Sequence, residues 1–305
     1  MERLVRYFTE GLENKPVASS VGVEVETSFV FVDSEGCRRP ITVIQSQELL
    51  ERFCRLRGWE ATKHKGGLVT EISDGANRMS YELGRQNIEL STVPDISGFV
   101  AVSRAKRLVD DLAFAGSFSD DKSSCMLENQ GPIVNTDEDL LIIPDERDAV
   151  WLELDGRPAL ELLARTSAVQ FTISVPAKSV IECLNKLGEK IGSFLKDYPQ
   201  EEYWRRYLKE SKANYHPMRY GGPLFFNSIE DYCQKLIMHD AVVGPRLVPY
   251  DQVKDLDISL YLRSIWWYFR LRRYGNTLCI EVRPLPRRDS RKFQEQFDFV
   301  RSVLL

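Results

Sequence analysis

Alternation of apolar and polar residues is the strongest pattern along this chain. From Ser20 to Asp33, valine and phenylalanine alternate with glycine, glutamate and threonine, which predicts a strand because neighbouring side chains on a strand point to opposite faces. Shorter strands are expected at 60–63, 67–73, 78–83 and 86–92, with Val93-Pro94 ending the run. Another strand is expected to close within 160–175, and 265–271 with 277–284 reads as a hairpin around Arg273-Tyr274-Gly275-Asn276. Helical spacing fills the intervals. Leu49, Leu50, Phe53 and Leu56 behind Ser46 as N-cap predict a helix over 46–57. Further helices are expected over 96–115, 177–195 and 229–239, and from about 290. Segment 117–148, where Ser, Asp, Asn and Pro cluster, reads as a long loop with a short strand at 140–143 and is a candidate lid. The aromatic and basic stretch 198–227, broken by Gly221-Gly222-Pro223, is a candidate substrate-pocket segment. No Gly/Ser- or Pro-rich linker divides the chain, so a single domain over 1–305 is expected.

Composition narrows the function classes. With 41 basic and 45 acidic residues, the net charge of −4 supplies no general attraction to nucleic acid or anionic lipid. No apolar run approaches the roughly 18 residues a membrane span needs, and the N-terminus has no signal-peptide core. The six cysteines are scattered without a CxxC pair, which suits reduced thiols in a cytoplasmic protein. His64, His216 and His239 are equally scattered, so zinc is not expected and the last two read as structural.

Chemistry collects on the polar faces of the strands. In Val21-Gly22-Val23-Glu24-Val25-Glu26 the valines share one face, and Gly22, Glu24 and Glu26 share the other. Glu82 lies opposite Tyr81, Glu89 lies with Asn87 and Ser91, Gln170 with Thr172 and Ser174, and Glu281 with Arg283. Amphipathic strands facing water would give the same alternation. These faces, however, hold carboxylates and amides and no lysine. In one sheet Glu24, Glu26, Glu82, Glu89 and Glu281 would converge, and carboxylates within about 4–6 Å stay ionised together only beside cations. An oxygen-only donor set suits Mg²⁺ or Mn²⁺, with nucleotide phosphates completing the shell.

These segments also carry a resemblance. Gly22-Val23-Glu24-Val25-Glu26 resembles the opening G-x-E-x-E strand of the glutamate–cysteine ligases and related carboxylate–amine ligases. The segment from Glu82 to Ser91 is similar to the E-P-G-G-Q-x-E-L-S block of the plant and proteobacterial branch, and Thr166 to Thr172 to its T-x-x-V-Q-x-N strand. Trp266-Trp267-Tyr268-Phe269-Arg270, the turn, and Thr277 to Arg283 resemble the closing W-W-x-x-R … T-x-E-V-R hairpin. The blocks stand in family order across residues 22–283. Leu83 and Arg85 depart from the proline and second glycine, Thr172 from the asparagine, and the chain is short for that branch.

The resemblance implies an α+β fold of the glutamine-synthetase-like kind: a curved antiparallel β-sheet funnel with helices packed on its outer face. It implies ATP-dependent amide formation through an acyl phosphate, most plausibly on the γ-carboxylate of glutamate, with cysteine or another amine as acceptor. Carried over by position, Glu24, Glu26, Glu82, Glu89 and Glu281 would hold two or three Mg²⁺ ions. Gln170, Thr172 and Arg270 would serve the metal and phosphate site, Arg283 would neutralise the transferring phosphoryl, and Arg219 would grip an acceptor carboxylate. Simpler assignments stay open: Arg283 pairing with Glu281, Arg219 as a loop arginine, Gln170 as a hydrogen-bonded sheet residue, and Trp266 and Trp267 as core and rim packing. Competing functions are a guanidino-kinase-type phosphotransferase and a non-catalytic relative that binds nucleotide. Phosphoryl transfer needs positioning and charge neutralisation more than a nucleophile, which agrees with the absence of any evident Ser-His-Asp or Cys-His arrangement.

Overall fold

In a computed structural model, residues 1–117, 124–128, 133, 135–136, 139, 146–196, 198, 200–254, 256–287 and 289–305 are described, side chains excepted at 124, 126–128 and 146–148. The chain opens with helix α1 (Glu2–Thr9), strand β1 (Val21–Val32), the short β2 (Arg38–Arg39) and helix α2 (Val43–Arg57). A meander follows, of β3 (Glu60–Lys65), β4 (Leu68–Ser73), β5 (Arg78–Tyr81) and β6 (Asn87–Ser91), and helix α3 (Gly98–Ala115) returns along the sheet. Strand β7 (Ser124–Glu128), helices α4 (Glu146–Asp155) and α5 (Arg157–Ala164) and strand β8 (Val169–Ser174) lead to α6 (Val180–Glu189), α7 (Ile191–Leu195) and α8 (Glu201–Glu210). The last third holds β9 (Tyr220–Gly221), α9 (Ile229–Leu236), the β10 (Ala241–Val242) and β11 (Leu247–Val248) pair, and α10 (Ile258–Arg263). It closes with β12 (Trp266–Trp267), β13 (Phe269–Tyr274), β14 (Thr277–Val282) and α11 (Phe293–Leu304).

The main sheet is antiparallel and runs β13-β14-β8-β1-β6-β5-β4-β3, with β2 and β7 paired to the far end of β1. β1 is central for a physical reason. Its twelve residues are long enough to pair with β8 over Val21–Val25, with β6 over Glu24–Ser28 and with β7 over Ser28–Val32. Val21, Val23 and Val25 are fully buried with apolar residues of β8, β13, β14, α3, α6, α9 and α11. Phe29 and Phe31, on the same face by parity, pack with α2, α3 and β4–β6. Helices therefore cover one face of the sheet, which confirms the mixed, helix-covered antiparallel architecture. A third cluster, from α4, α5 and α8 with Tyr215 and Trp266, meets the first through Leu195 and Tyr220.

Several local expectations are corrected. The helix expected behind Ser46 is capped by Thr42, whose hydroxyl accepts from Gln45 N at 3.2 Å while Gln45 closes the reciprocal bond. Ser46 is buried inside the helix against the Tyr81 hydroxyl. The strand expected from Leu160 starts only at Val169, because Leu160–Ala164 belongs to α5, whose first turn carries Pro158. Within the expected loop 117–148, Ser124–Glu128 forms a sheet strand on β1. The short strand expected at 140–143 lies outside the described residues.

Candidate active site

Strand register decides which polar residues meet. Across β1 and β6, Glu26 stands directly opposite Glu89, and the row continues through Ser80 and Glu71 to Lys63. A second row runs Gln170, Glu24, Ser91, Arg78 and Ser73. A third runs Gly22, Thr172, Glu281 and Arg270. All three rows lie on the face away from the buried valines. Glu71 escaped the sequence reading. It sits two strands beyond Glu89 on the same face and is held by Lys63 at 2.7 Å, so lysine does reach this face, at its outer edge.

The carboxylates fall into two electrostatic groups. Burial, then the charges of Glu89 and Glu281, push Glu24 up to about 8. Burial and Glu89 push Glu26 to about 7, and burial and Glu82 push Glu89 to about 7. Like charges set directly across a strand pair repel in this way. Glu82 follows β5, where its backbone N–H donates to Asn87 O at 3.0 Å. Glu281 behaves oppositely. Burial alone would raise it, but Arg270, Arg283 and Arg272 outweigh burial and hold it at about 2. Arg270 Nε donates to Glu281 Oε2 at 2.7 Å and Arg283 Nη1 to the same oxygen at 3.1 Å.

Several expected site residues are thus committed within the protein. Besides Glu281, Arg270 donates to Leu262 O at 2.6 Å and is 3% exposed, so its guanidinium ties the hairpin to the end of α10. Arg219, 1% exposed, donates to Ser264 O, Ser264 Oγ and Asp240 O, with Tyr215 and Trp266 packed against its plane. Its place is inside the fold, where three of its five N–H groups are already committed to Ser264 and Asp240. Gln170 Nε2 donates to Glu26 Oε1 at 2.6 Å and Ala168 N to Glu26 Oε2 at 2.9 Å. Gln170 Oε1 is buried without a hydrogen-bond partner among the described residues. Thr172 is half-buried beside Gly22 and Glu281.

Next to these rows lies a recess lined by Glu26, Ala168, Gln170, Arg283 and Pro284 and by the aromatic residues Tyr198, Trp204, Tyr220, Trp266, Trp267 and Tyr268. Tyr198, Trp204 and Tyr220 come from the segment singled out at 198–227. Trp267 is fully buried and donates to Met218 O at 3.0 Å, so both tryptophans pack as core and rim while lining the recess. The candidate ligand atoms within the three rows are oxygens, with no thiol or imidazole among them, which fits a hard divalent cation, while Arg78 lies 3.9 Å from Glu89. Among the described residues no three His, Cys, Asp or Glu side chains are gathered about one point as a ready-made metal cage. Nor is any described helix long and apolar enough to cross a membrane.

No protein-family model and no curated protein matches the chain. Among solved structures it is similar to a glutamate–cysteine ligase from Francisella tularensis in complex with AMP, at 12% identity and a TM-score of 0.49, covering 90% of this chain and 62% of that one. It is also similar to a bifunctional glutathione synthetase from Pasteurella multocida, at 11% identity and a TM-score of 0.49, covering 93% and 38%. The chain therefore spans less than two thirds of the length of each.

Proposed function

We propose that this protein is an ATP- and Mg²⁺-dependent carboxylate–amine ligase, activating a carboxylate such as the γ-carboxylate of glutamate and joining it to cysteine or another amine. The observation that carries the reading is the meeting of Glu24 and Glu26 of β1 with Glu89 of β6 on one face, where each is raised by burial and by another glutamate. Such crowding is relieved by a divalent cation. Mg²⁺ commonly takes one or two carboxylates and completes its octahedron with phosphates and water, so paired glutamates suffice and an all-protein cage is not required. Glu24, Glu26 and Glu89, with Glu82 beside them, would hold the ion. Bound there, it would neutralise the phosphates.

The chain's own residues then have separable tasks. Arg283 stands between the carboxylate rows and the recess, bonded to Glu281 on one side. A guanidinium fixed in this way meets a transferring phosphoryl with little reorganisation. Arg270 and Glu281 form the support that fixes it, in place of the phosphate and metal roles expected of them. Gln170 holds Glu26 in position and lines the space where an acceptor would approach. The carboxylate substrate attacks the γ-phosphorus and ADP leaves. The amine nitrogen then attacks the acyl carbon, phosphate departs with the C–O bonding pair, and the amine loses a proton.

The test is incubation with Mg-ATP, glutamate and a panel of amines, read by mass spectrometry and inorganic phosphate release. Equal amounts of ADP, phosphate and amide are expected. A phosphorylated acceptor without free phosphate would establish a phosphotransferase instead.

A further inference from the structure

The three rows of polar residues hold three cations, Lys63, Arg78 and Arg270, and their commitments differ. Lys63 Nζ donates to Glu71 Oε2 at 2.7 Å, and Arg270 Nε to Glu281 Oε2 at 2.7 Å. Arg78 makes no such bond. Its Nη2 stands 3.9 Å from Glu89 Oε1, beyond the roughly 2.7–3.2 Å of an N–H···O hydrogen bond. Among the described residues its guanidinium donates to no acceptor. A guanidinium is a fork of several N–H donors, so Arg78 stands beside the crowded carboxylates with its donors unspent.

Its surroundings leave it room to act. Across the strands Arg78 is flanked by Ser91 and Ser73, whose hydroxyls are turned to Glu89 Oε1 and Asn77 O. Of its side chain 44% is exposed, against 14% for Glu89. Its place in the sheet is equally specific. In the order β14-β8-β1-β6-β5, the raised glutamates occupy β1 and β6, with Arg283 just past β14 on one flank and Arg78 of β5 on the other. A pair as loose and exposed as Arg78 and Glu89 contributes little, so exchanging it for a better partner costs little. Phosphate is such a partner, because two of its oxygens match the planar fork with charge-assisted bonds. A divalent ion on Glu89 would also cancel the charge that draws Arg78 toward it.

We propose that Arg78 is a phosphate-binding residue of this face, gripping a phosphate of the nucleotide that is not transferred, from the flank opposite Arg283. The identity of the ligand as a nucleotide rests on the ligase reading above. Arg78 exchanges Glu89 for phosphate oxygens as the nucleotide binds, which leaves the Glu89 carboxylate to the cation.

The binding arm is calorimetry of the intact protein with Mg-ADP. Arg78→Gln is expected to weaken binding at least tenfold, and Arg78→Lys, which keeps the charge without the fork, by less. Because the Arg78 guanidinium donates no hydrogen bond to the described residues, both variants are expected to keep the denaturation midpoint of the unaltered chain, which separates lost binding from lost folding. The turnover arm uses Mg-ATP, glutamate and a panel of amines. There Arg78→Gln is expected to raise KM for ATP at least tenfold and to leave KM for glutamate within twofold. Equal Mg-ADP affinity in Arg78→Gln and the unaltered protein overturns the proposal and leaves the ligase reading in place. A raised KM for glutamate with nucleotide affinity unchanged also overturns it, and gives Arg78 to a substrate carboxylate. Arg78-dependent binding of Mg-ADP without ATP consumption on any carboxylate supports the proposal and removes the ligase reading instead. No binding of Mg-ADP to the unaltered chain overturns both.

Discussion

Arg270 and Arg283 both donate to one oxygen of Glu281, yet their surroundings assign them different work. Arg270 is buried with Glu281 and two backbone carbonyls. Removing one partner of such a pair strands the other, at a cost of about 3–5 kcal/mol. Arg270→Gln is therefore expected to lower stability by about that amount, moderated by Arg283, which still reaches Glu281; the denaturation midpoint reads it out. Arg283 borders the recess, so Arg283→Lys, which keeps the charge but loses the planar fork, is expected to leave the midpoint nearly unchanged and to cut turnover at least tenfold. Glu89→Gln removes a charge that raises both Glu24 and Glu26. It is expected to leave a folded protein without measurable ATP turnover, and near-normal rates would take Glu89 out of the site.

Element by element, the alternating strands were the legible part. β1, β4, β5, β6 and β14 emerge from period-two alternation, and that same parity places Glu24, Glu26, Glu89 and Glu281 on one face. Pairing partners are not written in a period. The sequence pattern could show that Glu281 shares a face with Arg283, but only the β13–β14 register brings Arg270 beside it, so that this expected metal ligand stands ion-paired to two arginines. Arg219 was expected from the resemblance to grip a carboxylate, or else to be a loop arginine in a Gly/Pro-rich stretch, whereas the packing of Tyr215 and Trp266 buries it. Helix α5 was lost because Leu160, Leu162 and Leu163 fit short strand and helix templates alike, and Pro158 in its first turn was the available signal. Glycines separate function from folding at this scale. A Cβ on Gly22 would meet nothing nearer than 3.8 Å, so Gly22→Ala is expected to leave stability within about 1 kcal/mol. Because Gly22 lies in the Glu281 row, beside Glu24 on the same face of β1, the added methyl is expected to weaken Mg-ATP binding severalfold by calorimetry. Gly222 is the contrast. Its φ of +74° and the Trp267 indole in the path of any Cβ make Gly222→Ala a folding lesion.

For the whole molecule, the carboxylate face should set the pH dependence of stability. Glu24 sits near 8, and Glu26 and Glu89 near 7, against a usual 4.5. In that interval the folded chain holds protons the unfolded chain has released, so stability must fall as pH rises. The contribution of these groups is complete below about pH 4.5 and is lost as pH climbs through 7 to 8. Glu281 runs the other way, its contribution present above 4.5 and lost only as pH falls toward 2. Neutral to mildly alkaline pH is thus where the free protein bears the most unrelieved negative charge on this face. A divalent cation bound with nucleotide should offset that charge and add binding free energy to the folded state. Melting temperature followed from pH 5 to 8.5 is expected to decline for the free protein, to decline less for Glu89→Gln, and to flatten with saturating Mg-ATP. The stabilisation by Mg-ATP should exceed that by ATP with a chelator, most clearly above pH 7. A decline that is identical with and without Mg-ATP would mean that the crowded glutamates do not meet the nucleotide's cation. The face would then be a strained wall of the sheet without a part in phosphoryl transfer.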